Sequence, residues 1–100
     1  MGKVEKYYAS HHRWTRGVGI MGSRNNKGEF VSYAAPRACR HCISNVVQLL
    51  YKIDAPILYS VNVKLDEFAR SQGYGSIFEW NDNPKRKFSE VKKLVQDLGI

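Results

Sequence analysis

A chain of 100 residues is long enough for one core of two layers, so we expect residues 1–100 to form a single domain. Hydrophobic residues make up 43% of the chain, and no apolar run approaches the roughly 18 residues of a membrane span, which argues against disorder and against a membrane partner. Sixteen Lys and Arg against nine Asp and Glu give a net charge of +7, which favours polyanionic partners: nucleic acid, a nucleotide phosphate or an acidic protein surface.

Three short strands are predicted in the first third of the chain. Residues 4–9 combine aromatic and β-branched side chains and predict the first strand. Val18-Gly19-Ile20-Met21 and Phe30-Val31-Ser32-Tyr33 predict the second and third strands, because they flank the turn-forming residues 23–28. We expect these two strands to form an antiparallel β-hairpin.

The next predicted element is a helix from Pro36 to Ile53, with proline at the first position, where a helix tolerates it. Its apolar residues recur at helical spacing, so we expect one buried stripe made of Cys39, Cys42, Ile43, Val46, Leu49, Leu50 and Ile53. The first turn carries Arg37, Arg40 and His41, although the positive end of a helix dipole prefers anions. These side chains are expected either to point into solvent or to receive an anion at the helix start.

The second half of the chain is predicted to hold one strand and then helices. Residues 57–63 alternate between apolar and mainly polar side chains, which is typical of a strand with one buried face. Residues 65–72 predict a short helix, and residues 74–80 fit either a strand or a helix. The last helix is predicted to end at Gly99 and to bury Phe88, Val91, Leu94, Val95 and Leu98.

The order of these elements resembles the ribonuclease H-like fold, an α/β (mixed α+β) architecture of three antiparallel strands, a helix, a parallel strand and C-terminal helices. Residues 4–8 are similar to the first strand of that family, residues 17–21 to its second, the segment from Arg37 to its first helix, and residues 57–60 to its fourth strand. The family's clustered carboxylates hold two divalent cations. Ala9, Cys39 and Val61 stand at or near those positions, and none of them binds a hard cation. The resemblance therefore implies an inactive nuclease homologue with no catalytic residues, metal or cofactor.

Two motifs have a competing interpretation. Residues 17–22 spell G-x-G-x-x-G, but no helix is predicted to open at the last glycine, so the glycines are interpreted as part of a tight or bulged strand. Cys39 and Cys42 form a C-x-x-C motif with the placement of a thioredoxin-like redox pair, in which a helix end and nearby cations lower a thiol pKa. Because both fall on the apolar stripe, packing is the preferred interpretation, and a thiol oxidoreductase the less favoured one.

Cations interleaved with aromatic residues suggest the function. Cations neutralise phosphates and exposed aromatic rings stack on bases, so we expect a non-catalytic module that binds nucleic acid through its phosphate backbone. The expected nucleic-acid or anion-binding residues are Arg13, Trp14, Arg16, Arg24, Arg37, Arg40, His41, Trp80, Lys85, Arg86 and Lys87. The alternative is a small phage or mobile-element accessory protein that inhibits a host nucleic-acid machine or sequesters a phosphorylated nucleotide.

The cysteine content and the N-terminus predict an intracellular, cytoplasmic location. Residues 1–13 contain no apolar stretch of the kind that a secretory signal needs. Two cysteines in a chain of ordinary composition are typical of reduced thiols rather than of a disulfide scaffold.

Overall fold

The computed structural model describes residues 2–18 and 22–100, and most of their regular structure is helical. The elements in chain order are α1 (Lys3–Tyr7), β1 (Gly22–Arg24), β2 (Phe30–Ser32), α2 (Ile43–Tyr51), α3 (Ala55–Ser71), α4 (Ile77–Asn81) and α5 (Phe88–Leu98), with a 3-10 turn at His11–Arg13. The strands β1 and β2 form a two-stranded antiparallel sheet. No helix among the described residues has both the length and the hydropathy that crossing a membrane requires.

The core forms where the five helices meet. The residues buried there are Val4, Tyr8, Ile43, Val46, Val47, Val61, Leu65, Ala69, Ile77, Trp80, Val91, Leu94, Val95 and Ile100. The hairpin lies beside this helical core and is joined to it by buried polar contacts, which are described with the candidate site.

The predicted first strand at residues 4–9 is wrong, because its residues form α1 and the turn after it. Val4 and Tyr8 are both buried and lie four residues apart, so they share one side of a helical turn. The helix also returns to the end of the chain, where the Glu5 N–H donates to the Ile100 carbonyl at 3.1 Å.

The predicted strand at residues 57–63 is also wrong, because it lies inside α3. The Asp54 side chain accepts from the Ile57 N–H at 3.2 Å and caps the helix, and proline occupies its first turn. Buried Val61, Leu65 and Ala69 follow at intervals of four residues, which is the period of a helix face. The parallel strand that the ribonuclease H-like order requires is therefore a helix.

The helix predicted from Pro36 begins at Ile43 instead. The preceding backbone is extended, because Arg40 exchanges two hydrogen bonds with Arg24 (2.9 and 3.0 Å) and the His41 N–H donates to Arg13 at 2.9 Å. The expected stripe is accordingly shorter than predicted: Cys39 is exposed and Ile53 is 90% exposed.

The hairpin and the last helix are confirmed. β1 and β2 pair antiparallel, although β1 begins at Gly22 and residues 19–21 of the predicted strand lie outside the described residues. Of residues 74–80, left open between strand and helix, residues 77–80 belong to α4, which continues to Asn81. α5 covers Phe88–Leu98 and ends at Gly99 in the left-handed conformation, with φ 68°. Two strands and five helices in the described chain replace the predicted α/β architecture of three antiparallel strands and a parallel one.

Candidate nucleic-acid interface

Four extended segments lie side by side and carry the candidate site. β2 pairs with β1, β1 pairs with residue 40, and residue 41 pairs with residue 14 in parallel. Directly paired residues share a face, and successive residues alternate between faces. We call the face that carries Phe30, Arg24 and Arg40 the outer face, and the face that carries Ser23 and His41 the inner face.

The inner face is closed by a buried serine and histidine. Ser23 Oγ lies 2.6 Å from His41 Nδ1, and both residues are buried. Burial lowers the pKa of His41, which favours the neutral ring. The Tyr8 hydroxyl donates to the His41 carbonyl at 2.8 Å, which ties this segment to the core. His41, expected on sequence grounds to bind an anion, therefore faces the interior, and the Ser23–His41 pair is closed to a substrate.

Asn81 connects the extended segments to the helices. Its Oδ1 accepts from the Trp14 indole N–H at 2.9 Å and from the Ile43 N–H at 3.2 Å, and its Nδ2 donates to the Thr15 carbonyl at 3.1 Å. The contact with Ile43 caps the start of α2, so the predicted anion position at that helix start is already filled by a side-chain oxygen. Local sequence patterns could not identify Asn81 as a connecting residue, because these partners lie 38 to 67 residues away along the chain.

The outer face presents two arginines directly opposite each other. Arg24 Nε donates to Thr15 Oγ1 and its Nη1 to the Gly28 carbonyl, both at 3.1 Å. A guanidinium has five N–H groups, so three of those on Arg24 make no hydrogen bond to the described residues. The Arg40 side chain makes no hydrogen bond or ion pair with any residue that the structure describes. Like charges placed directly opposite on a sheet repel, so this pair is short of a counterion.

Two more cations lie at the hairpin tip. Lys27 and Arg37 line a shallow cavity of about 250 Å³ together with Asn25, Asn26 and Glu29. The buried Asn25 fixes the turn, since its Oδ1 accepts from the Lys27 and Glu29 N–H groups at 3.0 and 2.9 Å. Its Nδ2 donates to Glu29 Oε1 at 2.9 Å, so the acid is held by the turn and forms no ion pair with the described cations.

Phe30 of the outer face was missed by the sequence reasoning, which treated it as a strand residue. Its side chain is 63% exposed although it is a large aromatic residue. Its cross-strand partner is Arg24. The predicted turn at residues 23–28 contained Arg24, so no sequence signal placed an arginine opposite Phe30, and only the observed register shows that the two share a face.

Arg13, Trp14 and Arg16 have structural partners. Arg13 Nη1 donates to the Tyr7 carbonyl at 3.0 Å, and its guanidinium lies 5.3 Å from the centre of the Tyr7 ring. Arg16 lies 6.0 Å from the Trp14 ring centre and donates from Nη1 to the Arg86 carbonyl. That contact brings Arg16 next to the exposed residues Lys85 and Lys87, so two of the predicted clusters do meet.

Trp80 and Arg86 belong to the packing rather than to an open surface. Trp80 is 4% exposed and Arg86 is 8% exposed, and the guanidinium lies 3.9 Å from the Trp80 ring centre. Arg86 also donates to the Trp80 carbonyl at 2.8 Å, to the Tyr74 hydroxyl at 3.3 Å and to Glu90 at 3.2 Å. With these contacts made, neither side chain is available to a nucleic acid without local unfolding.

The two cysteines are free thiols in different environments. Cys39 is exposed and lies four residues before the first residue of α2, whereas Cys42 is the N-cap residue of that helix. Burial raises the pKa of the Cys42 thiol to about 11. A C-x-x-C redox pair places its first cysteine at the start of a helix, whereas Cys39 lies outside α2, so this geometry opposes the oxidoreductase interpretation. Among residues 2–18 and 22–100, no three His, Cys, Asp or Glu side chains form a group that could hold a metal ion.

All of the net charge lies in the first half of the chain. Residues 1–52 contain two acids, Glu5 and Glu29, and nine cations: Lys3, Lys6, Arg13, Arg16, Arg24, Lys27, Arg37, Arg40 and Lys52. Residues 53–100 contain seven cations and seven acids, so the formal charge of +7 belongs to residues 1–52. Both ion pairs between described residues, Arg86–Glu90 and Lys93–Asp97, lie in the neutral half.

Comparisons with protein-family models, curated proteins and solved structures find no match to this chain, so no relative supports or refutes the ribonuclease H-like resemblance. The function is therefore inferred from the geometry and charge of the outer face.

Proposed function

We propose that the protein is a non-catalytic module that binds nucleic acid through its phosphate backbone, using the outer face and the hairpin tip. The observation that carries the proposal is the Arg24–Arg40 pair, two cations held opposite each other with no acidic partner among the described residues. A phosphate placed between two guanidinium groups removes their repulsion and accepts charge-assisted hydrogen bonds from both.

The distribution of charge supports the same surface. The half of the chain that contains the hairpin holds the whole charge of +7, and the half that contains α3 to α5 is neutral. An excess of positive charge attracts a polyanion and speeds association at low salt. The described residues of the outer face offer cations and an aromatic ring, and they offer no set of nucleophile and base.

Two expectations from the sequence stay predictions. The alternative function, an accessory protein that inhibits a nucleic-acid machine or sequesters a phosphorylated nucleotide, would use the same cations on a different anion. An intracellular location is the other, and it is compatible with either function.

The test compares two variants with the same loss of charge. Arg37→Gln with Arg40→Gln removes two cations from the proposed surface, and Lys64→Gln with Arg70→Gln removes two exposed cations from α3. Binding of a labelled oligonucleotide is measured by fluorescence anisotropy between about 50 and about 200 mM NaCl. At about 100 mM salt the first variant should bind roughly 10- to 100-fold more weakly, with a salt slope smaller by about two.

The α3 variant should bind like the wild type. Equal losses in the two variants would show that total charge, and not this surface, determines binding. No binding by the wild type at about 50 mM salt would overturn the proposal itself.

A further inference from the structure

We infer that the outer face binds single-stranded nucleic acid, with a base stacked on Phe30 and the adjoining phosphates on Arg24 and Arg40. This inference rests on the proposed function and goes beyond it, because backbone binding alone does not distinguish a single strand from a duplex.

The Phe30 ring is exposed and yet held in place. A Cβ atom added to Gly22 would collide with Cζ and Cε2 of Phe30 and with the Val18 carbonyl oxygen, so one side of the ring lies directly on the glycine backbone. Much of the remaining surface is open, since the residue is 63% exposed. A ring already fixed in position loses little rotamer freedom when a ligand stacks on it, so less of the binding free energy is lost to ordering.

The spacing of the outer face suits one nucleotide and its neighbours. Arg24 lies directly across from Phe30, and Arg40 lies across from Arg24 on the next extended segment. Neighbouring strands are about 5 Å apart, so the backbone positions of Arg24 and Arg40 lie about 5 and 10 Å from that of Phe30. An aromatic ring that takes a base, flanked by cations that take the backbone, is the arrangement by which proteins hold single strands.

A duplex offers this surface its phosphates but not its base faces. Bases in a duplex are covered on both faces by their neighbours, whereas an unpaired base can turn out and stack on a protein ring. A duplex could use Phe30 only by unstacking a base step, as wedge residues do, and that costs a few kcal/mol. The arrangement therefore favours the single strand.

The experiment measures the binding of Phe30→Ala, Phe30→Tyr and Tyr59→Ala to three labelled probes: oligo(dT), oligo(rU) and a DNA duplex, each about 12 nucleotides or base pairs long. Tyr59 is an exposed aromatic residue of α3 and serves as the control outside the outer face. Phe30→Ala should bind both single strands roughly 5- to 150-fold more weakly and the duplex as before. Its salt slope should not change, because no charge is removed. Phe30→Tyr should keep the affinity, and so should Tyr59→Ala.

The outcomes separate the two proposals. If the wild type binds the duplex as tightly as the single strands, or if Phe30→Ala binds every probe like the wild type, the single-strand inference fails and the backbone-binding proposal stands. A loss that is equal on duplex and single strands identifies Phe30 as a wedge, which also overturns the inference. If the wild type binds none of the probes at low salt, the proposed function fails. Circular dichroism of each variant confirms that the comparison is between folded proteins.

Discussion

Replacing Asn81 with alanine would leave three groups, from two separate segments of the chain, without the partner that the structure gives them. The amide is completely buried, and it serves the Trp14 indole, the Ile43 N–H and the Thr15 carbonyl at 2.9 to 3.2 Å. Two of these hydrogen bonds, to Ile43 and Thr15, are buried, and the third is partly buried. A small cavity would form as well, because the side chain is fully enclosed.

The cost follows from these three contacts. Leaving a buried donor or acceptor without a partner costs about 1–3 kcal/mol, so Ile43 and Thr15 together cost about 2–6 kcal/mol. The partly buried Trp14 contact adds about 0.5–1.5 kcal/mol. Water entering the cavity recovers part of this, and we expect Asn81→Ala to lower the free energy of unfolding by about 3–5 kcal/mol. That is a large share of the 5–15 kcal/mol typical of a whole domain.

The assay is urea unfolding followed by far-UV circular dichroism, with Asn62→Ala as the matched control. Asn62 lies in α3, and its side chain makes no hydrogen bond to the residues that the structure describes, so its replacement should change stability by less than about 0.5 kcal/mol. A loss below about 1 kcal/mol for Asn81→Ala would refute the reasoning, since a single buried hydrogen bond is already worth that much.

Two further predictions follow from buried titratable groups. Burial lowers the pKa of His41 from its ordinary 6.5, so the unfolded chain takes up a proton before the folded one does. The free energy of unfolding should therefore fall as the pH drops through about 6.5 towards 5, and His41→Gln should flatten this dependence in urea titrations; an equal slope in both proteins would contradict it. A thiol reagent at about pH 8 should modify only Cys39 in the folded protein and both cysteines in urea, because the pKa of Cys42 is raised to about 11. Rapid labelling of both thiols in the folded state would argue against a buried Cys42. Because Cys39 is exposed, Cys39→Ser should lower the free energy of unfolding by less than about 0.5 kcal/mol.

The elements that could be predicted from the sequence are those whose signals are local and agree with one another. α5 has apolar residues at helical spacing and a glycine at its end, and the hairpin has turn-forming residues between two β-prone segments. The segment around Asp54 carried two patterns at once. Residues 57–63 alternate like a strand, but Asp54 and Pro56 are a helix cap and a first-turn proline, and Val61 opens a four-residue period that continues to Ala69. The helical pattern is longer and has a cap, which is why it prevails.

The start of α2 could not be found from local patterns, because distant residues determine it. Proline at 36 and the apolar spacing after it are compatible with a helix, but the backbone groups of Arg40 and His41 are bonded to Arg24 and Arg13. A residue whose N–H and C=O are used in sheet pairing cannot also use them in a helix, so α2 starts only where that pairing ends.

The candidate site was predictable in its charge but not in its exposure. Arg24, Arg40, Trp80 and Arg86 are all expected binding residues in the sequence, since each is a cation or an aromatic ring near other cations. In the fold, the Arg86 guanidinium packs on the Trp80 ring in a favourable cation–π contact. Arg24 and Arg40, in contrast, lie opposite each other, and their like charges repel. A cation that is packed on a ring stabilises the protein without a ligand. Two opposed cations without an acid become more stable when an anion binds, and this difference makes the hairpin, rather than the segment around Trp80, the surface where binding should be sought.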